Sequence, residues 1–173
     1  MPTEMESRIF QLLRATEIER DAPQYIESLG NEAVTIICEA ALGSYPGIRP
    51  KMRANAVLLA GGMDHPQALE TIALLVSDSD PGIAIRAMRA AGRKRSTGLV
   101  EKIGRVLDQP MSSALLAAEA LDALLQIDTP EAHLRVQAYE AACETDLPHR
   151  RSPPVEYTLR EGKKKETPLQ GLS

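Results

Sequence analysis

A chain of 173 residues that is 43% apolar and 25% charged, with net charge −4, is sized for one soluble domain and a tail. No stretch approaches the roughly 20 uninterrupted apolar residues of a membrane span. Met1 to Arg14 carries acidic residues where a signal peptide needs a basic and then an apolar run, so a cytoplasmic setting without membrane contact is the expectation.

Apolar residues recur at helical spacing almost everywhere before Leu147, and no period-two segment bounded by turn residues interrupts them. The expected class is all-α. Helices are expected over Glu4–Ala15, Ala22–Ser28, Glu32–Leu42, Lys51–Ala60, Pro66–Ser77, Pro81–Ala91, Gly98–Asp108, Ser112–Gln126 and Pro130–Cys143. Asp80-Pro81 and Thr129-Pro130 each place a capping side chain before a proline at the first helical position, where the missing N–H would have no partner anyway. Asp64-His65-Pro66 has the same form. Aromatics make up only 3% of the chain, Trp is absent and Phe occurs once, so the core must be built from Ala, Leu, Ile, Val and Met. Such a core favours helices that approach closely through small side chains.

An internal period of about 30 residues runs through the chain. Met52 to Gly61 aligns with Ile83 to Gly92, which superposes Ala56 on Ala87 and the closing Gly61 on Gly92. Ser113 to Asp122 continues the series, with Ala117 at the shared alanine position and Asp122 in place of the glycine. In the second helices, Leu69, Glu70, Ile72, Leu75 and Val76 fall on Val100, Glu101, Ile103, Val106 and Leu107, and a diverged earlier copy carries Val34, Ile37 and Cys38.

This pattern resembles the HEAT family, in particular the short bacterial repeats first noticed in phycobilisome lyases. Asp80, Pro81, Ile83, Ala87, Ala90 and Gly92 match that motif in the best copy, and Arg53, Ala56 and Gly61 in the one before. Ala84 departs from it where an arginine is usual, and so does Asp122. The resemblance implies an α-solenoid of about four stacked helical pairs, because a pair this short cannot bury its apolar face alone and must share one core with its neighbours. Glycines after the first helix suit a left-handed residue that ends it. The expected organisation is a solenoid over residues 1–147, of which 1–45 form a diverged N-terminal cap and 46–147 the best repeats. Residues 148–173 form a basic, proline-containing tail, disordered or extended, in which Val155, Tyr157 and Leu159 alternate.

Chemistry-bearing constellations are scarce. Cys38 and Cys143 are far apart inside helical patterns and are expected to be reduced core residues, and His65, His133 and His149 form no ligand pair at metal-site spacing. Gly92 to Gly98 has the glycines of a phosphate loop but no preceding strand, with Leu99 and Val100 where a lysine and a hydroxyl residue are needed. The expectation is therefore a chain without catalytic residue, metal or cofactor.

Charge is distributed unevenly: −5 over residues 1–45, −1 over 46–85, +6 over 86–105, −7 over 106–147 and +3 over the tail. Arg86, Arg89 and Arg93 lie along one helix face, Lys94 and Arg95 follow in the turn, and Lys102 and Arg105 sit on the next helix. With Leu69, Ile72, Leu75 and Val76 pointing inward, the outward set on the second helices is Glu70, Thr71, Leu74, Glu101, Lys102 and Arg105, and Leu74 and Ile36 are candidate apolar anchors. The expected function is non-catalytic capture of another protein with an acidic rim, as adaptor, scaffold or inhibitor-like subunit, with Arg86, Arg89 and Arg93 completing the binding surface. The alternatives are a nucleic-acid-binding solenoid, disfavoured by the acidic flanks and the lack of stacking aromatics, and an accessory subunit of a lyase-type complex.

Overall fold

Helix starts in this chain are written in capping side chains and prolines, and the computed structural model, which describes residues 3–109 and 113–145, places them accordingly. The described residues are all-α. They form α1 (Glu4–Arg14), α2 (Ala22–Ser28), α3 (Asn31–Leu42), α4 (Pro50–Gly62), α5 (Pro66–Leu75), α6 (Pro81–Arg93), a 3-10 turn (Thr97–Leu99), α7 (Val100–Leu107), α8 (Ala114–Ile127) and α9 (Pro130–Thr145). Thr3 and Glu6 make a reciprocal capping box at α1. The Asp80 carboxylate accepts from the Gly82 and Ile83 amides at α6, Ser113 Oγ from Leu116 N at α8, and Thr129 Oγ1 from Ala132 N at α9. No described helix is long and apolar enough to cross a membrane.

Packing follows chain order. α4 lies against α6 and α6 against α8, while α3 packs on α5 and α7 on α9. Each second helix also touches the first helix of the next pair, as α3 does α4, α5 does α6 and α7 does α8. α1 covers α3 and α4 at one end. One aliphatic core runs through these helices from Ile9 to Val136, with Ala56, Ala60, Ala87, Ala91, Ala120 and Ala123 where helices meet. Small side chains there let backbones approach, as the composition requires.

Two polar residues tie neighbouring helices together. Asn55, buried on α4, donates its Nδ2 to the Leu13 and Ala15 carbonyls at 2.9 and 3.0 Å, satisfying the end of α1. Arg53 donates Nε to the Ala41 carbonyl at 2.9 Å near the end of α3 and pairs with Asp78 at 2.5 Å, with both side chains largely covered. Replacing Arg53 by Leu takes the guanidinium from that carboxylate, which keeps the Asp80 amide, and from the Ala41 carbonyl. A stability loss of about 1 kcal/mol is expected, read as a lower urea midpoint at unchanged slope.

Predicted and observed helices agree closely, but three details differ. Gly61 and Gly92 lie within α4 and α6 and do not end them in a left-handed turn. A Cβ on Gly61 would stand 2.6 Å from Ala90 Cβ, and one on Gly92 would stand 3.1 Å from Ala123 Cα, so both glycines serve helix contact. In α8 the buried set Ala117, Ala120, Ala123 and Leu124 answers Ala84, Ala87, Ala90 and Ala91 of α6. Ala120, rather than Ala117, is thus the counterpart of Ala87, and Asp122 faces solvent. Finally, Gly98 belongs to a 3-10 turn preceding α7. Ser112, His149 and the tail with Val155, Tyr157 and Leu159 lie outside the described residues.

Candidate functional site

A groove of about 920 Å³ opens beside the basic segment. It lies ahead of α7, which takes its main contacts from α8 and α9 rather than from α5 or α6. One wall is the start of α5 with Leu69, Glu70 and Ala73; the other is the connection from Arg93 to Leu99 that leads from α6 into the 3-10 turn. Met63 and Leu99 supply apolar, buried floor. Leu69 is 46% exposed although it is a leucine on a helix that packs on both sides.

The basic wall has a definite geometry. α6 ends with Arg95 N donating to the Gly92 carbonyl at 2.9 Å and Ser96 N to the Ala91 carbonyl at 3.0 Å, which places Arg95 in the left-handed region at φ +49°. α3 ends in the same pair of bonds, Gly43 N to Ala40 O and Ser44 N to Glu39 O, with glycine at φ +79°. The same turn therefore carries glycine at one place and arginine at the groove. A left-handed residue with a Cβ costs about 1–2 kcal/mol, against roughly 0.5–1 kcal/mol for the extra freedom glycine brings to the unfolded chain. Arg95→Gly is expected to leave stability unchanged or raise it by up to about 1 kcal/mol, measurable as a thermal midpoint at or above that of the parent.

Lys94 is held by Asp64 at 2.6 Å across the groove mouth. That hydrogen bond, and then the ammonium charge itself, lowers the Asp64 pKa below the ordinary carboxylate value. Lys102 reaches from α7 to the Ala73 carbonyl of α5 at 3.3 Å. Among the described residues Arg93 and Arg95 form no ion pair. Two guanidinium-bearing residues thus line the groove without an ion-pair partner.

No protein-family model, no curated protein and no solved structure matches this chain.

The basic run is not one surface. Arg86, half-buried, folds back to donate to the Gly82 carbonyl at 2.9 Å, and Arg89 pairs with Glu119 of α8. Arg93 lines the groove, and Arg105 lies on α7 beside Glu101 at 3.5 Å. Glu101 also faces Arg135 of α9 at 3.7 Å, and Arg135 binds Asp108 at 2.9 Å. Of the outward set on α5, Glu70 and Leu74 are exposed, Leu74 to 61%. Thr71 is not: it is 3% exposed and donates its hydroxyl to the Gln67 carbonyl at 2.8 Å, so its polar group is satisfied inside the helix. Leu69, expected inward, takes the exposed place instead. Ile36, expected as an anchor, is 7% exposed and belongs to the core.

Cys38 is buried and its thiol pKa is raised, chiefly by burial, while its side-chain interaction with Thr71 works the other way. A thiol in that state is a poor nucleophile. His65 accepts the Gln67 amide at 3.2 Å as the cap of α5, and His133 lies 2.9 Å from Asp128. Among the described residues no three His, Cys, Asp or Glu side chains gather closely enough to hold a metal ion. Sequence reading set Arg95 in the basic turn and Leu69 inward, and did not join them with Ser96 and Thr97 into one groove, because the groove depends on a gap between helices.

Proposed function

We propose that this chain is a HEAT-type α-solenoid that holds a protein partner without catalysing a reaction. The row of α4, α6 and α8, with α5, α7 and α9 beside it, supports the solenoid reading. The observation that carries the binding reading is the pair of exposed leucines on α5, Leu69 in the groove and Leu74 on another side of the helix, with Lys102 of α7 reaching the Ala73 carbonyl next to Leu74. Apolar side chains framed by charge are the composition of a recognition surface, and each leucine left in water gains by being covered. A chain of this kind acts as an adaptor, a scaffold or an inhibitor-like subunit.

The test is a charge reversal at two exposed residues that leaves the core untouched. Lys102→Glu/Arg105→Glu is expected to lose capture of the partner taken by the parent chain from a lysate of its source, while its helical circular dichroism stays unchanged. Retained capture by the folded double variant removes this face from consideration. Tight binding of the parent chain to random-sequence DNA at physiological salt would favour nucleic acid instead.

A further inference from the structure

The groove between α5 and the Arg93–Leu99 connection has an apolar floor, two unengaged guanidinium groups on one wall and an open side, and we infer that it receives an acidic peptide segment of the partner bearing a large aliphatic or aromatic anchor. The inference rests on the protein-binding reading above and gives it a site and a ligand chemistry. Leu69, Ala73 and Leu99 offer the anchor a surface with no polar group to satisfy. At about 920 Å³ the space exceeds what one side chain fills and lies in the range of ligand sites.

Charge selects the occupant. Asp64 and Lys94 cancel each other, while Arg93 and Arg95, with Lys102 at the Ala73 end, outweigh Glu70. The wall is therefore net positive around an apolar floor. Guanidinium groups pair with carboxylates through two parallel N–H donors, which suits Asp and Glu side chains flanking an anchor. The tail of this chain carries +3 over residues 148–173, the wrong net sign for this wall, and the inference commits to a segment of another protein. The left-handed turn adds a second observation. Its twin at the end of α3 uses glycine, the residue that adopts this backbone without penalty, whereas here an arginine is held there at the groove rim.

A phage-displayed library of random dodecapeptides, panned on the full chain, supplies the probe. Enriched peptides are expected to combine Asp or Glu with one Leu, Ile, Phe or Trp, and to bind the parent chain in fluorescence anisotropy with an affinity that falls as salt rises. Arg95→Gly, a variant that keeps the turn, should weaken them about threefold, and Arg93→Gln/Arg95→Gly about tenfold, the range of one and two partly exposed ion pairs. Leu69→Ser should weaken them at least as much, and Glu70→Gln should tighten them about twofold. Failure to enrich any peptide, enrichment without acidic and apolar bias, or equal binding by parent, Leu69→Ser and Arg93→Gln/Arg95→Gly each overturns the groove assignment. Peptides or partner lost only in Lys102→Glu/Arg105→Glu would overturn the groove while leaving the protein-binding reading intact.

Discussion

Ile103→Ala is expected to remove about 2–5 kcal/mol of stability, a drop in thermal midpoint on the order of 10 °C for a chain of this size. Ile103 is 0% exposed and lies on α7, which packs on α8 and α9. Truncation there removes methyl groups from water-free surroundings and leaves a void that rigid helices cannot collapse to fill. The site is also where α7 lacks extensive support from α5 and α6, so the Ile103 side chain supplies a large share of what holds this helix in place. Leu74→Ala is the matched control: the same chemistry applied to an exposed leucine on α5 should change stability by no more than about 0.5 kcal/mol. Circular dichroism melts and urea titrations of both variants decide the matter. Equal losses in the two would mean that the burial assigned to α5 and α7 is wrong.

Ile103 and Leu74 also differ in how plainly the sequence marks their surroundings. Helix starts are legible, because Asp80-Pro81 and Thr129-Pro130 carry local chemistry that needs no neighbour. Inward positions on α7 are legible too, since Ile103, Val106 and Leu107 alternate cleanly with Glu101, Lys102 and Arg105. The rotation of α5 is not. Leu69, Ile72, Ala73, Leu74, Leu75 and Val76 surround much of that helix with apolar groups, so spacing alone does not say which side is covered, and Thr71 can enter the core by bonding its own helix. The basic run is visible as a run, but its division is not, because Asp64 and Glu119 stand about one repeat away from Lys94 and Arg89. The repeat spacing points toward those partners once pairing across neighbouring units is considered. The groove itself depends on the space between α5 and the Arg93–Leu99 connection, which no residue pattern records.

Gly61 provides the second large effect, because its meaning differs from what its place at the end of a repeat motif suggests. An added Cβ would stand 2.6 Å from Ala90 Cβ, whereas carbon atoms in good contact sit about 3.5–4.0 Å apart. Neither atom can turn away, since both are fixed to helical backbone. The next residue meets a different neighbour: a Cβ on Gly62 would overlap Pro23 of α2, so moving α4 away from α6 presses it toward α2. Gly61→Val should therefore cost about 3 kcal/mol, the upper part of the range for overpacking, despite the helix propensity of about 1 kcal/mol that glycine sacrifices. A rescue separates crowding from any other cause. Gly61→Ala alone should lose about 1–2 kcal/mol net, and Ala90→Gly alone about 1 kcal/mol, but the double variant moves the missing methyl from one helix to the other and should lose less than the sum by about 1 kcal/mol or more. Urea unfolding of the four chains measures that difference directly. Strict additivity would show that α4 and α6 do not meet at these residues, and their close approach would have to be placed elsewhere.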